Sequence, residues 1–158
     1  MSRLKPHPSR PATTARPATT ARPAPPRAKT RVLFVCIGNS CRSQMAEGFA
    51  RHYGSDVIEA SSAGLSPIGL VAPLTRKVMQ DRGIDISSHY PKTITEAPGQ
   101  PWDLVINMSG LPFPAPASMP VRNWDIRDPY TLPETVYIES AVAIERQVQD
   151  LILTLRRA

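Results

Sequence analysis

The chain has 158 residues, which is enough for one domain with its own hydrophobic core. Its formal net charge is +6, but residues 1–30 hold seven basic and no acidic residues, whereas residues 31–158 hold 12 basic and 13 acidic residues. The longer part is close to neutral, which argues against nucleic-acid binding by the folded domain. No apolar run approaches the roughly 20 residues of a membrane span, so we also expect no membrane partner.

Residues 10–27 repeat every six residues, as RPATTA, RPATTA and RPAPPR. Proline, alanine, threonine and arginine in this pattern cannot bury a core. We therefore predict a disordered tail with polyproline character over residues 1–30, followed by one catalytic domain over residues 31–158. An electrostatic tether, a targeting peptide and an extension without function all remain open as interpretations of the tail, although its prolines oppose an amphipathic transit helix.

The chain has only two cysteines, Cys36 and Cys41. This number excludes a disulfide framework and a structural zinc site, which usually needs four ligands. We expect no metal and no cofactor. A free, reactive thiol suits a reducing compartment, so we expect the protein in the cytoplasm.

The first predicted element is a buried strand over residues 32–35, which are four consecutive apolar residues ending at Cys36. A helix is predicted shortly after it, with Ser43 as its cap and Gly54 as its stop. Its apolar face is formed by Met45, Ala46, Phe49, Ala50 and Tyr53. The chain therefore turns sharply at the carboxyl end of a strand, where open α/β sheets bind their ligands.

The residues of this turn suit the binding of an oxyanion. Free N–H groups at the start of a helix attract anions, and Gly38 allows a close backbone approach. Asn39 and Ser40 can brace the loop with their side chains, and Arg42 can hold two oxygens. A positive site of this kind favours the thiolate of Cys36.

Spacing alone leaves a second interpretation open, in which Cys36 is a buried thiol and Arg42 a surface cation. The order of strand, glycine, polar loop and helix start favours the anion site. A Walker loop is excluded because no Gly-Lys-Ser/Thr follows, and a dinucleotide fingerprint is excluded because Gly38 is the only glycine in the loop.

The rest of the chain alternates between strand and helix patterns, which predicts a parallel, doubly wound sheet. One helix is expected from Leu70 to Arg82, with Leu70, Leu74 and Val78 on its inner face and Gly83 as its stop. The other predicted elements are strands at 57–60, 102–108 and 121–126, an irregular connection at 111–120 and a helix at 133–156.

Asp128 and Pro129 follow the last predicted strand. A carboxylic acid at that position can protonate a leaving oxygen and then activate water, and Pro129 restricts the backbone of Asp128. Asp-Pro pairs also occur in ordinary turns, and the sequence pattern alone does not distinguish the two interpretations.

Residues 36–43, CIGNSCRS, and the QMAEGFA that follows resemble the phosphate loop of the low-molecular-weight protein tyrosine phosphatase superfamily, which includes the thioredoxin-coupled arsenate reductases. The match to the reductase branch is close over residues 40–48, and the resemblance extends from Arg31 to the C-terminus. It implies an α/β fold of the flavodoxin-like type: a doubly wound, four-stranded parallel sheet with helices on both faces.

The resemblance implies that Cys36 is the nucleophile, Arg42 the oxyanion clamp and Asp128 the general acid. It implies that the loop binds the substrate through Ile37, Gly38, Asn39, Ser40, Cys41 and Ser43. Tyr130 stacks on an aromatic substrate or anchors its own loop.

Two further positions are expected to brace the loop. Ser62, followed by Gly64, resembles the small-residue segment that approaches the phosphate loop closely in the family. Glu47 braces the loop or lies on a solvated helix face. For Cys41, reversible pairing with Cys36 under oxidation and a purely packing role both remain open.

The resemblance also limits the reaction. The internal relay of the thioredoxin-coupled reductases needs cysteines near Met108 and Ala115, and neither residue is cysteine here. Three ligands of the potassium site of these reductases are matched, by Asn39, Glu47 and Ser62. Lys92 stands near the place of an acidic residue of that site, which argues against bound potassium.

Our leading hypothesis from the sequence is a cysteine-dependent phosphatase of the tyrosine phosphatase type, which acts on a phosphorylated substrate through a cysteinyl-phosphate. The alternative is an arsenate reductase that takes electrons from an external thiol or redoxin. A third hypothesis is a phosphate-binding module without catalytic activity. An aromatic wall for a phosphotyrosine ring is missing from residues 65–70.

Overall fold

The computed structural model describes residues 28–158, so the predicted tail lies outside the described residues except for its last three. The elements of the described part are β1 (Thr30–Cys36), α1 (Arg42–Gly54), β2 (Ile58–Gly64), α2 (Pro73–Asp81), β3 (Leu104–Asn107), β4 (Val121–Asn123) and α3 (Glu134–Arg157). None of these helices combines the length and the apolar character needed to cross a membrane.

The four strands form one parallel sheet in the order β2-β1-β3-β4, which confirms the predicted α/β fold. β1 lies in the middle and is buried from Val32 to Cys36, as expected for a strand covered on both faces. Cys36 pairs with Gly64 of β2, and Val35 pairs with Asn107 of β3. The carboxyl ends of three strands therefore meet at the edge where the predicted loop begins.

The two faces of the sheet are covered differently. Val32 and Phe34 point into a core to which all three helices contribute. Leu33 and Val35 point into a smaller core that is covered by residues of the connections before and after β3 (93–102 and 111–120). Helices were expected on both faces, but among residues 28–158 they cover only the first. These connections are rich in proline, which cannot continue a helix.

The start of α1 differs from the expectation, whereas its end at Gly54 confirms it. Ser43 was predicted to be the cap, but the helix begins at Arg42 and Ser43 lies within its first turn, with its hydroxyl group directed at the loop. Gly54 is the last residue of the helix, but its side is packed against α3. A Cβ at Gly54 would lie 2.5 Å from Cγ1 of Ile152, so the glycine permits close packing of the two helices.

α2 is shorter than predicted because it begins at Pro73, a residue that suits the first turn of a helix. Leu70 therefore lies before the helix and is more than half exposed, and the prediction that it belongs to the inner face was wrong. The stop at Gly83 is confirmed: its φ of +76° is in the left-handed region that glycine favours. β3 and β4 are likewise shorter than the predicted strands.

Candidate functional site

The loop between β1 and α1 (residues 37–41) is held on one side by the segment that follows β2. The carbonyls of Cys36, Ile37 and Gly38 accept N–H bonds from that segment at 3.1, 2.8 and 3.1 Å. A trans peptide points its N–H opposite to its C=O, so the N–H groups of residues 37–39 point away from the segment. Within residues 28–158, the N–H groups of residues 37–41 donate to no other backbone group. They form a row of free donors, which is the arrangement that binds anions.

The close approach predicted at Gly64 is present. A Cβ at this residue would lie 2.8 Å from the carbonyl oxygen of Ile37 and 2.9 Å from the backbone nitrogen of Asn39. A side chain at this position would displace the loop. Gly38, in contrast, has room for a Cβ, whose nearest neighbour would be Ile68 at 3.4 Å.

The predicted residues come together around a cavity of about 160 Å³ at the carboxyl edge of the sheet. Its lining consists of Cys36, Ile37, Gly38, Ser40, Cys41, Arg42, Ile68, Asp128 and Tyr130. Cys36 is only 3% exposed, so its thiol is reached through this cavity rather than from the protein surface. A larger cleft of about 490 Å³ lies beside the end of α2, but no cysteine lines it.

Arg42 is held in the cavity wall by the ends of β3 and β4. Its Nη1 donates to the carbonyl of Met108 and, at 3.2 Å, to the carbonyl of Ile126. Its Nε is buried and has no hydrogen-bond partner among the described residues. The guanidinium group is therefore fixed in orientation and retains a donor for a bound oxyanion.

Asp128 lies beside Arg42 at the cavity, with Oδ2 at 3.4 Å from Nη2 of the guanidinium. Its Oδ1 accepts the backbone N–H of Tyr130 at 3.1 Å, which orients the carboxylate within its loop. The side chain is nearly half exposed, so it faces both the cavity and solvent. Tyr130 is also half exposed and lies at the cavity rim.

Asn39 and Ser43 were predicted to contact the substrate, but neither lines the cavity. Their side chains lie beneath the loop, where Nδ2 of Asn39 donates to Oγ of Ser43 at 2.8 Å. Oγ of Ser43 is 2.9 Å from Sγ of Cys36. Asn39 has a φ of +50°, an uncommon conformation for a residue other than glycine, which its neighbours must maintain.

Glu47 and Ser62, the two residues expected to brace the loop, contact each other, and their bracing role stays a prediction. Glu47 is buried rather than solvated, and the hydroxyl of Ser62 donates to its Oε1 at 2.9 Å. Three nitrogen groups surround the same carboxylate: His89 Nε2 at 3.2 Å, Arg51 Nε at 3.5 Å and Lys92 Nζ at 3.9 Å. Within residues 28–158, no three His, Cys, Asp or Glu side chains are grouped to hold a metal ion.

Sequence reasoning missed Gln44 and His89, which connect this carboxylate to the loop. Nε2 of Gln44 donates to both the backbone and the side-chain oxygen of Asn39 at 3.1 Å, and its Oε1 contacts Nδ1 of His89 at 2.9 Å. Burial lowers the pKa of His89, and the carboxylate of Glu47 opposes that shift. No local pattern marks a histidine this far along the chain as a neighbour of the loop.

Cys41 is buried at the end of the loop, with its Sγ 3.8 Å from the hydroxyl of Tyr137. Burial raises the pKa of the Cys41 thiol. The structure brings Cys41 to the same cavity as Cys36, and pairing of the two thiols stays a prediction.

Comparisons with known proteins agree with this geometry. The family described as low molecular weight phosphotyrosine protein phosphatase matches residues 31–113. A glutaredoxin arsenate reductase of Synechocystis sp. is 33% identical over 126 residues, which cover 77% of this chain and 95% of the relative. An arsenate reductase of Halalkalibacterium halodurans is 39% identical over 126 residues, which cover 77% of this chain and 88% of the relative.

Among solved structures, one described as an arsenate reductase in the phosphate binding state matches with a TM-score of 0.72 at 32% identity. It covers 80% of this chain and 98% of that chain. The region matched to the family contains the whole loop at residues 37–41, called the anion loop below, together with the segment after β2 that holds it and the residues around Glu47. The chain belongs to the low molecular weight phosphotyrosine protein phosphatase family.

Proposed function

We propose that the chain is an arsenate reductase of this family, which uses Cys36 as its nucleophile and takes electrons from an external thiol. One observation carries the proposal: the buried sulfur of Cys36 shares a cavity with a row of free backbone N–H groups and with Arg42. The relatives reported above, which are arsenate reductases by name, favour arsenate over a phosphate ester as the substrate.

The loop and Arg42 bind the oxygens of arsenate in this proposal. The amides of residues 37–41 supply N–H donors, and Nε and Nη2 of Arg42 supply further donors from the cavity wall. Charge-assisted hydrogen bonds of this kind are stronger than neutral ones, and donors fixed by the backbone need no reorganisation as charge develops.

The chemistry then takes two stages. The thiolate of Cys36 attacks arsenic and expels one oxygen as water, which leaves an S–As(V) bond. The thiolate of an external donor attacks the sulfur of Cys36, the S–As pair of electrons stays on arsenic, and arsenite leaves as As(III). A second donor thiol reduces the resulting mixed disulfide, so two thiols supply the two electrons.

The donor is external in this proposal because the two further cysteines of the three-thiol relay are missing from the chain. Met108, where the resemblance expects a second cysteine, contributes its carbonyl to Arg42, so a thiol on this residue would be close to the site. This chain has methionine there and alanine at 115. The name of the Synechocystis relative includes glutaredoxin, so a glutaredoxin is one class of donor to test, and a thioredoxin is the other.

Asp128 supplies the proton for the departing oxygen in this mechanism. Its carboxyl group is next to Arg42 and partly exposed, so it can exchange protons with solvent and deliver one at the cavity. Tyr130 and Ile68 also line the cavity.

Phosphatase activity is the second candidate, and the same acid favours it. Ester cleavage requires an acid beside the group that binds the anion, and Asp128 lies beside Arg42. The description of the matched family also names phosphotyrosine phosphatases. Cys36 would then attack phosphorus, and water would hydrolyse the cysteinyl-phosphate.

A paired steady-state assay separates the two activities. The wild-type protein is given arsenate with glutathione and glutaredoxin, or with thioredoxin and its reductase, and in parallel an aryl phosphate. Cys36→Ser is the control, because it removes the nucleophile and leaves the amide donors in place. We expect donor-dependent arsenate turnover that Cys36→Ser abolishes, while the variant still binds phosphate.

Hydrolysis of aryl phosphate that depends on Cys36, without arsenate turnover by any donor, would show a phosphatase instead. Phosphate binding with neither activity would show a binding module without catalysis. Arsenate turnover that survives Cys36→Ser would remove the nucleophile assignment.

A further inference from the structure

A lysine side chain is buried beneath the anion loop, outside the cavity. The side chain of Lys92 is only 6% exposed. Its Nζ donates to the carbonyl of Tyr90 at 3.2 Å and lies 4.9 Å from the centre of that tyrosine ring. Lysine is rarely buried to this degree without a charged partner, and the carboxylate of Glu47 at 3.9 Å is that partner.

Three nitrogen groups surround Glu47, and that of Lys92 is the least screened by solvent. The carboxylate is 4% exposed, whereas the side chain of Arg51, which also contacts it, is 55% exposed and shares its charge with solvent. Burial lowers the pKa of both His89, the third neighbour, and Lys92, but the ordinary pKa is 6.5 for histidine and 10.5 for lysine, so Lys92 retains its charge more readily. An ionised carboxylate at this depth requires a buried counter-charge, and Lys92 supplies it.

The same lysine is joined to the loop through its backbone. Its N–H donates to Oδ1 of Asn39 at 3.0 Å, and its carbonyl accepts the N–H of Gly64 at 2.9 Å. Lys92 therefore ties the anion loop to the end of β2 at the point where the two backbones are closest.

A second connection runs through side chains. Glu47 contacts His89, His89 contacts Gln44, and Gln44 donates to Asn39. Asn39 holds its left-handed backbone conformation between these donors and directs its own amide to Ser43, next to the sulfur of Cys36.

We propose that Lys92 is a positioning residue of the anion loop: its buried ammonium group balances the charge of Glu47, so that the oxygens of Glu47 can hold His89 and, through it, keep Gln44 and Asn39 in the arrangement that presents the loop amides and Ser43 to the anion and to Cys36. Lys92 touches neither the cavity nor Cys36. The inference rests on the proposed anion-binding role of the loop and holds for arsenate and phosphate chemistry alike.

The test replaces Lys92 with methionine, which retains most of the aliphatic stem and removes the charge. The matched control is Arg51→Met, which removes the exposed cation from the same carboxylate. Two quantities are measured in the full chain: the Kd of inorganic phosphate by calorimetry, and the rate of alkylation of Cys36 by iodoacetamide, located by fragment-ion mass spectrometry.

We expect Lys92→Met to weaken phosphate binding and slow Cys36 alkylation by about tenfold, a typical size for coupling through a packed network. Arg51→Met should change each by less than about twofold, because its charge is solvated. The double variant Lys92→Met/Glu47→Gln leaves no unbalanced buried charge and keeps an amide oxygen at residue 47 for Ser62 and His89, so it should recover to within about threefold of wild type.

Wild-type values in Lys92→Met, or an equal loss in Arg51→Met, would overturn the positioning role. The double variant decides the matter where Lys92→Met does not fold: phosphate binding near the wild-type level supports the proposal, and binding about tenfold weaker overturns it. A wild-type protein that fails to bind phosphate would instead remove the proposed function, and this inference with it.

Discussion

The sulfur of Cys36 lies 2.9 Å from the hydroxyl oxygen of Ser43, and that oxygen accepts a hydrogen bond from Nδ2 of Asn39 at 2.8 Å. The amide of Asn39 occupies a lone pair of the hydroxyl, so the hydroxyl proton is free to point at the sulfur. When Cys36 is a thiolate its sulfur can only accept, so Ser43 is then the donor of this hydrogen bond, and the position of Ser43 depends on the left-handed backbone of Asn39.

Ser43→Ala should slow reactions of the Cys36 thiolate. A hydrogen bond to a charged group contributes about 1.5–3 kcal/mol, which corresponds to a loss of roughly tenfold to a hundredfold. The measurements are kcat/KM for arsenate or aryl phosphate and the alkylation rate of Cys36. Ser66→Ala is the control, because the side chain of Ser66 is exposed. Equal rates in the two variants would contradict the role given to the hydroxyl.

Asp128→Ala should slow the cleavage of phosphate esters with poor leaving groups far more than that of esters with good ones. A poor leaving group needs the proton, and the loss of a general acid typically costs about a hundredfold or more. A series of aryl phosphates with phenols of increasing pKa measures this dependence. Asp125→Ala removes an exposed neighbouring acid and serves as the control. Parallel losses across the series would exclude the acid role.

Gly64→Ala should distort the anion loop. The added Cβ would meet the carbonyl of Ile37 at 2.8 Å and the nitrogen of Asn39 at 2.9 Å. Both are backbone atoms, which move only at a cost in free energy. Overpacking of this kind costs about 1–3 kcal/mol of unfolding free energy. Urea denaturation and phosphate calorimetry measure stability and binding together.

Gly69→Ala is the matched control for that substitution, since a Cβ at this residue would meet no atom within 4 Å. It should leave stability unchanged or slightly higher, because alanine restricts the unfolded chain. Normal phosphate binding by Gly64→Ala would show that the close approach does not shape the loop.

The unfolding free energy should fall as the pH falls from about 7 to about 5.5. Burial lowers the pKa of His89 below its ordinary value of 6.5, so the unfolded chain takes up the proton first and is stabilised by it. The charged groups that face this ring are Glu47, Arg51, Lys92 and Asp85. Urea titrations over this range should give a shallower fall for His89→Gln than for wild type, and identical slopes would contradict the assignment.

Cys36 should react with iodoacetamide before Cys41 at neutral pH, because burial raises the pKa of Cys41 and keeps its thiol protonated. Under peroxide we predict a disulfide between the two, with faster over-oxidation of Cys36 in Cys41→Ser. Peptide mass spectrometry reports both products. Sulfinic acid at Cys36 with no disulfide in the wild type would support the packing interpretation of Cys41.

Local patterns were sufficient for the centre of the molecule. The apolar run before Cys36 identifies a strand buried on both faces, and the loop residues up to Arg42 predict an anion site at the place where the structure has a cavity, because each signal lies within one short stretch. Patterns were incomplete where a residue has a tertiary role. Ser43 was predicted to be a cap but lies within the helix and contacts the sulfur, and Gly54 ends its helix as predicted but also provides room for Ile152, which no pattern indicated.

The sequence by itself determined the parallel sheet and singled out Cys36 as the proposed nucleophile and Arg42 as its proposed partner, since these follow from periodicity and from the chemistry of adjacent residues. Only the tertiary structure decided that Asp128 reaches Arg42, that Asn39 and Ser43 lie under the loop, and that Lys92 is buried against Glu47. Parallel strands bring their carboxyl ends to one edge, so residues far apart in the chain become neighbours there. Which of them touch depends on packing and burial, and no local pattern encodes those.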